Sequence, residues 1–512
     1  MGEFTWVMRR VRRRPVFATM FVTIFGGSLG ISLVVLTLAR ATIGTALPYD
    51  EPAGLVSLSE NRPEEGIERM VSSYRSLEDW RDRSTSLENI GGVRTQLGTT
   101  LQLENRSLRL SGAVVSASMF EVLRVAPLLG RAFSAEEDGR GAGITSVVVS
   151  HTFWTESLGA DPNVLGTPLT LNAVPWTVVG VLPAGTTLAP HYRETVDVWF
   201  PTGAAALIDG PPVYDNRGYR IFQLIGRLRD EATTVGLQDD VARLSAELEA
   251  ENPEAHSGWR WEATPLRSHV LRGVDGPVLS VFGGGVLLFM VAVVNLLALF
   301  VQSLRRDLDE LATRRVLGAG MGGLVRLGLL ELAVLGLAGG VLALTIGGLG
   351  VRVLPGWFAI SLPVYARVDF DPLLILSAFL AAELLVLLGG AVLMALTMRS
   401  VASSPMVGGR VVGAGRSTRR ATTASLTGQI VLTTILAIGA TVAARSFDAL
   451  SRVDPGIDPE GLTAVRVDVA AESRAPSDVP VLAEEVRQAL AAVPGVAAVH
   501  LWSPHVPTAA QW

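Results

Sequence analysis

The sequence predicts an integral membrane protein of about five α-helical spans that carries a large α+β extracytoplasmic domain. Of its 512 residues, 49% are hydrophobic and only 18% are charged, and the mean hydropathy is +0.40. The apolar residues are concentrated in runs of about 20 residues or more, the length that crosses a bilayer as a helix. These runs lie at 16–38, 277–301, 324–351, 373–397 and 425–444.

The distribution of arginines predicts the orientation in the membrane. Arginines cluster before the first run, between the second and third, and after the fourth, whereas the intervening long segments carry an excess of acidic residues. The positive-inside rule therefore places the N-terminus, 302–322 and 398–424 in the cytoplasm, and 47–272 and 445–512 outside. The first run is long and lacks a clean small-residue cleavage site, so we interpret it as an anchor rather than a signal peptide.

These assignments divide the chain into six parts, which alternate between membrane and aqueous segments. They are the cytoplasmic N-terminus with the first span (1–46), the extracytoplasmic domain (47–272), the second to fourth spans (273–400), a cytoplasmic linker (401–424), the fifth span (425–444) and a partial second extracytoplasmic domain (445–512).

The sequence of the large external region predicts a mixture of strands and helices. Apolar residues three apart predict a helix near 74–81, and alternation predicts strands at 101–104 and 108–116. Residues 147–154 pass from strand to helix, 170–181 form a hairpin that turns at Asn172 and Ala173, and 239–251 form a helix ended by Asn252 and Pro253. Because the elements interleave without a regular repeat, we expect an α+β domain rather than a sandwich.

A charged segment at 305–320 separates the second and third apolar runs. As a helix it would align Leu304, Leu308 and Leu311 on one face, with oppositely charged side chains four residues apart. Glycines after Leu317 would then end or bend it. One interpretation is a solvated connector whose arginines extend into water. The other is an amphipathic helix that offers its apolar stripe to a soluble partner.

The sequence argues against an enzyme. It contains no Lys, and a phosphate-binding loop of the Walker type requires one, so we do not expect the chain to hydrolyse ATP. There is no Cys, and the six His show no metal-ligand spacing. We expect no catalytic residues, cofactor, metal or nucleic-acid partner, and we interpret the acidic group at 136–138 as a solvated loop.

Two carboxylates, Glu331 and Glu383, fall within apolar runs, where acids are energetically costly and are often functional. Glu331 lies near the cytoplasmic end of its run, so extension toward water or pairing with a neighbour such as Arg326 would explain it. Glu383 lies near the middle of its run without a partner in its own helix, and it faces either another helix or a polar path, with a proton relay as one role. Glycines on the first and third runs predict close helix packing.

The external region resembles the periplasmic core domain of bacterial MacB-type ABC permeases. The matching residues lie within 116–133, 147–183 and 196–201, and they include Phe120, Pro127, Gly130, Phe133, Trp154, Pro162, Gly166, Asn172, Pro183 and Trp199. The segment at 310–319 is similar to the acidic–apolar–basic sequence, followed by Leu-Gly-Ala, that comes after the second helix in this family. The resemblance implies a permease subunit that couples a separate cytoplasmic ATPase to movement of the external domain, a mechanotransmission that expels or extracts a substrate.

By the same resemblance, the ATPase would dock on the charged segment. The residues expected to form the docking site are Arg305, Arg306, Leu308, Asp309, Glu310, Leu311, Arg314, Arg315, Leu317 and Gly318. The alternative function is a non-transporting signalling or scaffold protein that regulates an external partner such as a cell-wall hydrolase. Membrane lipids and either a second copy or a second permease half are the other expected partners, and the bacterial inner membrane is the expected location.

An internal repeat refines this resemblance. Residues 458–462, just after the fifth run, are similar to 51–55, just after the first, and 493–496 resemble an early element of the external domain. The chain is therefore similar to the duplicated orphan permeases first described in acidobacteria. A complete second unit would be longer than the remaining sequence, so we expect either a truncated second repeat or a partner that supplies the rest.

Overall fold

The computed structural model describes residues 3–41, 47–103, 106–139, 144–192, 195–209, 212–272, 275–306, 320–357, 371–402, 479–496 and 498–500, with isolated positions between 313 and 448. Two compact units divide the chain. One comprises Met1–Ala46 and Leu271–Asp458, and the other comprises Leu47–Val270 and Pro459–Trp512. We refer to them as the membrane unit and the external unit.

The helices and strands alternate in the external unit, whereas the membrane unit is mainly helical. The helices are α1 (Glu3–Arg13), α2 (Pro15–Ala39), α3 (Tyr74–Arg83), α4 (Ser118–Leu123), α5 (His151–Glu156), α6 (Ala205–Asp209), α7 (Pro212–Asp215), α8 (Thr234–Glu251), α9 (Pro253–His256), α10 (Leu266–Leu271), α11 (Asp275–Arg306), α12 (Met321–Trp357), α13 (Pro372–Ala402) and α14 (Val479–Ala491). The strands are β1 (Leu55–Arg62), β2 (Ile67–Met70), β3 (Leu87–Leu103), β4 (Arg106–Val115), β5 (Leu129–Gly130), β6 (Ser146–Val149), β7 (Pro168–Leu171), β8 (Val174–Val181), β9 (Val198–Pro201), β10 (Gln223–Leu228), β11 (Arg260–Pro265), β12 (Met406–Val407) and β13 (Arg410–Val411).

Strands β1 to β11 form one sheet in the external unit. Its order is β11-β1-β10-β3-β4-β9-β6-β8-β5, with β2 beside β1 and β7 paired with both β3 and β8. Most neighbours are antiparallel, but β4 pairs with β9 and β6 with β8 in parallel. This mixture of antiparallel and parallel pairs, with helices between the strands, confirms the α+β assignment.

The helices of the external unit cover the sheet with large apolar side chains. Trp80 of α3 is fully buried, and its ring meets Trp261 of β11 edge-on at 5.4 Å between centroids. Leu244 and Leu248 of α8 are also fully buried in this core. Side-chain caps define the helix starts, because the Ser73 hydroxyl accepts from the amide of Ser76 at the start of α3.

The sequence located the principal elements of the external unit, although the observed elements are longer. The expected strand at 101–104 is the end of the 17-residue β3, and the expected helix at 239–251 begins earlier, at Thr234. The expected hairpin is β7–β8, with Asn172 and Ala173 at φ of 48° and 62°. Two successive positive φ values are typical of the type I′ turn, which matches the twist of the paired strands.

The described residues contain four helices that are long and apolar enough to cross a membrane. They correspond to the first four expected spans, at Pro15–Ala39, Leu279–Leu304, Gly322–Val353 and Pro372–Thr397. The fifth expected span, 425–444, is described only at isolated positions and stays a prediction. In the expected second external region, the structure describes the helix α14 at Val479–Ala491.

Glycines bring the first and third spans together, as expected. A Cβ added to Gly26 of α2 would lie 2.6 Å from the carbonyl oxygen of Gly339 on α12, and one added to Gly30 would lie 2.8 Å from Cβ of Ile346. Neither position has room for a larger side chain, so the two backbones approach closely. Gly27, by contrast, faces open space and belongs to no contact.

Candidate functional site

The expected docking segment lies between α11 and α12, and most of it is outside the described residues. Helix α11 ends at Arg306, whose side chain is exposed, and α12 begins at Met321. Leu304, which we placed on the docking stripe, is instead 1% exposed and packs inside the membrane unit. The docking residues that lie outside the described part of the chain are Leu308, Asp309, Glu310, Leu311, Arg314, Arg315, Leu317 and Gly318. For Arg305, only the backbone is described.

The N-terminal arginines form part of a helix that the sequence reading missed. Helix α1 has a fully buried Val7, a half-buried Val11 four residues later, and exposed arginines such as Arg9 and Arg12 on the other side. The apolar residues three and four apart, separated by cations, were a signal for an amphipathic helix.

Helix α1 and the residue that follows it contact both helices that flank the docking segment. Nε of Arg10 lies 3.1 Å from Oε2 of Glu331 on α12. Nη1 of Arg14, between α1 and α2, donates a 2.7 Å hydrogen bond to Oγ of Ser303, near the end of α11. The two arginines therefore hold the ends of α11 and α12 against a common element.

The environment of Glu331 differs from the one expected. The side chain is 1% exposed, so it does not extend to water, and it forms an ion pair with Arg10. The guanidinium of Arg10 also lies over the ring of Trp6, 5.2 Å from its centroid. Tertiary packing of α1 on α12 brings these groups together across more than 300 residues of sequence.

The side chain of Glu383 is buried in the interface between α12 and α13. It is 8% exposed, and neither carboxyl oxygen has a hydrogen-bond partner in the part of the chain that the structure describes. A Cβ added to Gly336 of α12 would lie 1.8 Å from Oε2 of this residue. Of the two arrangements that the sequence allowed, Glu383 thus faces another helix.

A second ion pair joins the spans at their opposite ends. Arg40, at the end of α2, pairs with Asp371, which precedes α13. Oδ1 of Asp371 also accepts a 2.8 Å hydrogen bond from the amide of Leu373 and thereby caps α13. The first and fourth spans are connected through this pair.

The acidic group at 136–138 is not the solvated loop that we expected. Glu137 and Asp138 are both buried. Oδ1 of Asp138 accepts from the Thr202 hydroxyl at 2.7 Å and from the Ala117 amide at 2.8 Å, while Glu137 accepts from Arg131 and the Ser146 hydroxyl. Burial raises the pKa of Asp138 despite these bonds. The two acids join loops of the external domain.

A buried ion pair occupies the middle of the external domain. Nε of Arg220 lies 2.7 Å from Oε2 of Glu60, and the guanidinium lies 4.0 Å from the ring centroid of Trp259. Burial raises the pKa of Glu60, and the charge of Arg220 opposes that shift. In both units, therefore, an arginine beneath a tryptophan neutralises a buried glutamate.

Comparisons with known proteins assign both units. The profile of a family described as a MacB-like periplasmic core domain matches residues 20–244, and that of the FtsX-like permease C-terminal domain matches 282–401. No curated protein matches the chain.

Three solved structures are similar to the chain, each over less than half of its length. A domain assigned to a permease protein of Porphyromonas gingivalis is 13% identical (TM-score 0.33) over 42% of this chain and 92% of its own. The extracellular domain of the noncanonic ABC-type transporter YknZ from Gram-positive bacteria is 10% identical (TM-score 0.30) over 41% and 99%. The periplasmic region of MacB from Actinobacillus actinomycetemcomitans is 12% identical (TM-score 0.32) over 45% and 92%.

The fold defines a multi-pass membrane protein with a large α+β domain between its first and second spans. The two profile matches support a MacB/FtsX-type permease, and hence an ABC-type permease-like membrane protein. Permeases of these families are membrane components that in general work with cytoplasmic ABC ATPases and are not themselves enzymes.

Proposed function

We propose that the chain is the permease subunit of an ABC-type efflux or extraction system, in which a separate cytoplasmic ATPase moves the external domain by mechanotransmission. The observation that carries the proposal is the pair of contacts made by Arg10 and Arg14. They connect α12 and α11, the two helices between which the expected docking segment lies. A force applied to that segment would act on both helices together.

The lengths of these helices suit such a transmission. Helix α11 has 32 residues and α12 has 37, against the roughly 20 that cross a bilayer. Each is continuous and packed against neighbours, so displacement at one end is passed to the other rather than absorbed by bending. The close contacts of Gly26 and Gly30 with α12 would carry a displacement of α12 to α2.

The proposal includes the bacterial inner membrane with a cytoplasmic N-terminus. Arg9, Arg12 and Arg13 of α1 are exposed, and cations at this position are attracted to anionic lipid headgroups at the cytoplasmic face. The exposed apolar face of α13 supports contact with lipid or with a second permease half. Its residues recur three or four apart and are Leu373, Leu376, Leu380, Leu384, Leu388, Val392 and Leu396.

The proposal also retains the resemblance to duplicated permeases, with 425–444 as the first span of a second unit. The support is the similarity between 458–462 and 51–55 and the helix α14 that follows.

The docking claim is tested by placing a charge on the expected apolar stripe. We expect Leu308→Asp and Leu311→Asp to abolish co-purification of an ABC ATPase from detergent-solubilised membranes, because a buried unpaired carboxylate opposes docking. Val411→Asp, in the other expected cytoplasmic segment, is the matched control and should leave co-purification unchanged. Membrane insertion is checked by fractionation of all variants.

The outcome separates this function from the alternative one. If an ATPase is retained by Leu308→Asp and Leu311→Asp, the docking site is wrong. If no ATPase co-purifies even with the wild-type chain, and an external protein such as a cell-wall hydrolase is recovered instead, the regulatory function replaces the transport function.

A further inference from the structure

Glu383 is a buried acid that the proposed function does not use. It lies near the middle of the apolar span Pro372–Thr397, and its side chain is more than nine-tenths buried. Both of its carboxyl oxygens lack a hydrogen-bond partner among the described residues. Because acids in a membrane interior are costly, an unpartnered one at this depth requires a specific explanation.

Glycines allow the two helices to pack closely around the carboxyl of Glu383. Gly336 is the residue against which the carboxyl rests, since a Cβ there would lie 1.8 Å from Oε2. One turn along α12, a Cβ on Gly340 would lie 2.5 Å from the Phe379 ring, and one on Gly390 of α13 would lie 2.3 Å from the Leu332 side chain. The carboxyl is thus enclosed in a tightly packed interface, and any Cβ at Gly336 would expel it.

Among the described side chains of the surrounding helices, no charged group pairs with Glu383. Between their ends, α2 and α11 contain no charged residue, and Glu331 on α12 is paired with Arg10. The other charged residues of these helices whose side chains the structure describes are Arg306, Arg326 and Arg352, and none of them forms a hydrogen bond with Glu383. Burying an ionised carboxylate without a partner in such surroundings is far more costly than burying the neutral acid.

We propose that Glu383 is a proton-binding site whose occupancy is linked to the packing of α12 against α13. The carboxyl holds one proton while it rests against Gly336. When the two helices separate and water enters, the O–H bond breaks, the proton passes to water and the carboxylate remains. Any motion that opens this interface therefore releases a proton, and alkaline conditions favour the open arrangement. This inference does not depend on the ATPase.

Infrared spectroscopy of the full-length protein in lipid nanodiscs tests the assignment. We expect the wild-type spectrum near neutral pH to contain the C=O band of a protonated carboxyl in apolar surroundings. Glu383→Gln should remove this band, and Glu383→Asp, which keeps a carboxyl, should shift it. Glu331→Gln is the matched control, because its carboxylate is paired with Arg10, and it should leave the band intact.

Gly336→Ala gives a second test, because the added Cβ would displace the carboxyl of Glu383 from its position against α12. The band should move toward the position of a water-exposed acid or disappear, whereas Gly348→Ala, at a glycine with no neighbour within 4 Å, should have no effect. A band that survives both Glu383 substitutions unchanged would overturn the proposal. So would the loss of an ionised-carboxylate band, instead of a protonated one, in Glu383→Gln.

Discussion

Two glutamates, one in each unit, are neutralised by closely similar side-chain arrangements. In the external unit, Glu60 is 2.7 Å from Arg220, whose guanidinium lies over Trp259. In the membrane unit, Glu331 is 3.1 Å from Arg10, whose guanidinium lies over Trp6. The same arrangement of glutamate, arginine and tryptophan thus occurs in a β-rich domain and in a helical bundle.

The units differ in what surrounds their other buried acids. In the external unit, Glu137, Asp138 and Asp240 each accept hydrogen bonds from several amides, hydroxyls or arginines. In the membrane unit, the carboxyl of Glu383 lies against Gly336 and has no hydrogen-bond partner among the described residues. A helical bundle uses its backbone amides internally, so it has few donors to offer a carboxylate. In the external unit, hydrogen-bond donors surround the buried acids, and these acids stabilise the fold. In the membrane unit, Glu383 lacks such donors among the described residues, and we propose that it binds a proton instead.

The largest effect is expected for the external pair. Arg220→Ala leaves the fully buried Glu60 without its ion-pair partner, which should lower the free energy of unfolding by about 3–5 kcal/mol. Urea unfolding of the purified chain, followed by tryptophan fluorescence, measures the change. Arg75→Ala removes a partly exposed pair with Asp215 and should cost less than about 1 kcal/mol. Equal losses would show that burial of the pair does not matter.

A smaller effect is expected for the membrane pair. Arg10→Ala should destabilise the membrane unit by about 1–3 kcal/mol, because Glu331 loses the partner that its burial requires. It should also change the fluorescence of Trp6, which loses its cation. Arg9→Ala, at an exposed position on the same helix, is the control. If both variants have the same thermal unfolding midpoint in detergent, α1 is not held through this contact.

The smallest effect concerns the pH dependence of the external unit. Hydrogen bonds from Ser84, Arg243 and the amides of Thr85 and Ser86 outweigh burial and hold the pKa of Asp240 below its usual range. Since the folded pKa is below the unfolded value of about 3.9, this carboxylate stabilises the fold above about pH 4, and the contribution is lost as the pH falls through the folded pKa.

Asp240→Asn should therefore reduce the loss of stability below about pH 4 while costing stability near neutrality. Urea unfolding at a series of pH values checks both parts. Wild type and Asp240→Asn with parallel pH profiles would contradict the assignment.

Several local features were readable from the sequence because their signals are local. Alternation and turn residues located β7, β8 and the turn at Asn172 and Ala173, and apolar length located four spans. The expected docking segment remains a prediction, and Leu304, which we expected on its apolar stripe, is buried inside the membrane unit. The spacing of apolar residues on the helix face that includes Leu304 is the same whether a neighbouring helix or a soluble partner covers that face.

The sequence by itself determined the positions of the four described helices that are long and apolar enough to cross a membrane, and that two acids lie within them. The length of an apolar run and the residue types of a turn are local properties, so they can be recognised in the amino-acid sequence. Only the tertiary structure decided that Glu331 meets Arg10, that Asp138 is buried, and that Glu383 rests on Gly336. Each of these contacts joins segments distant in sequence, and its partner is selected by packing rather than by spacing.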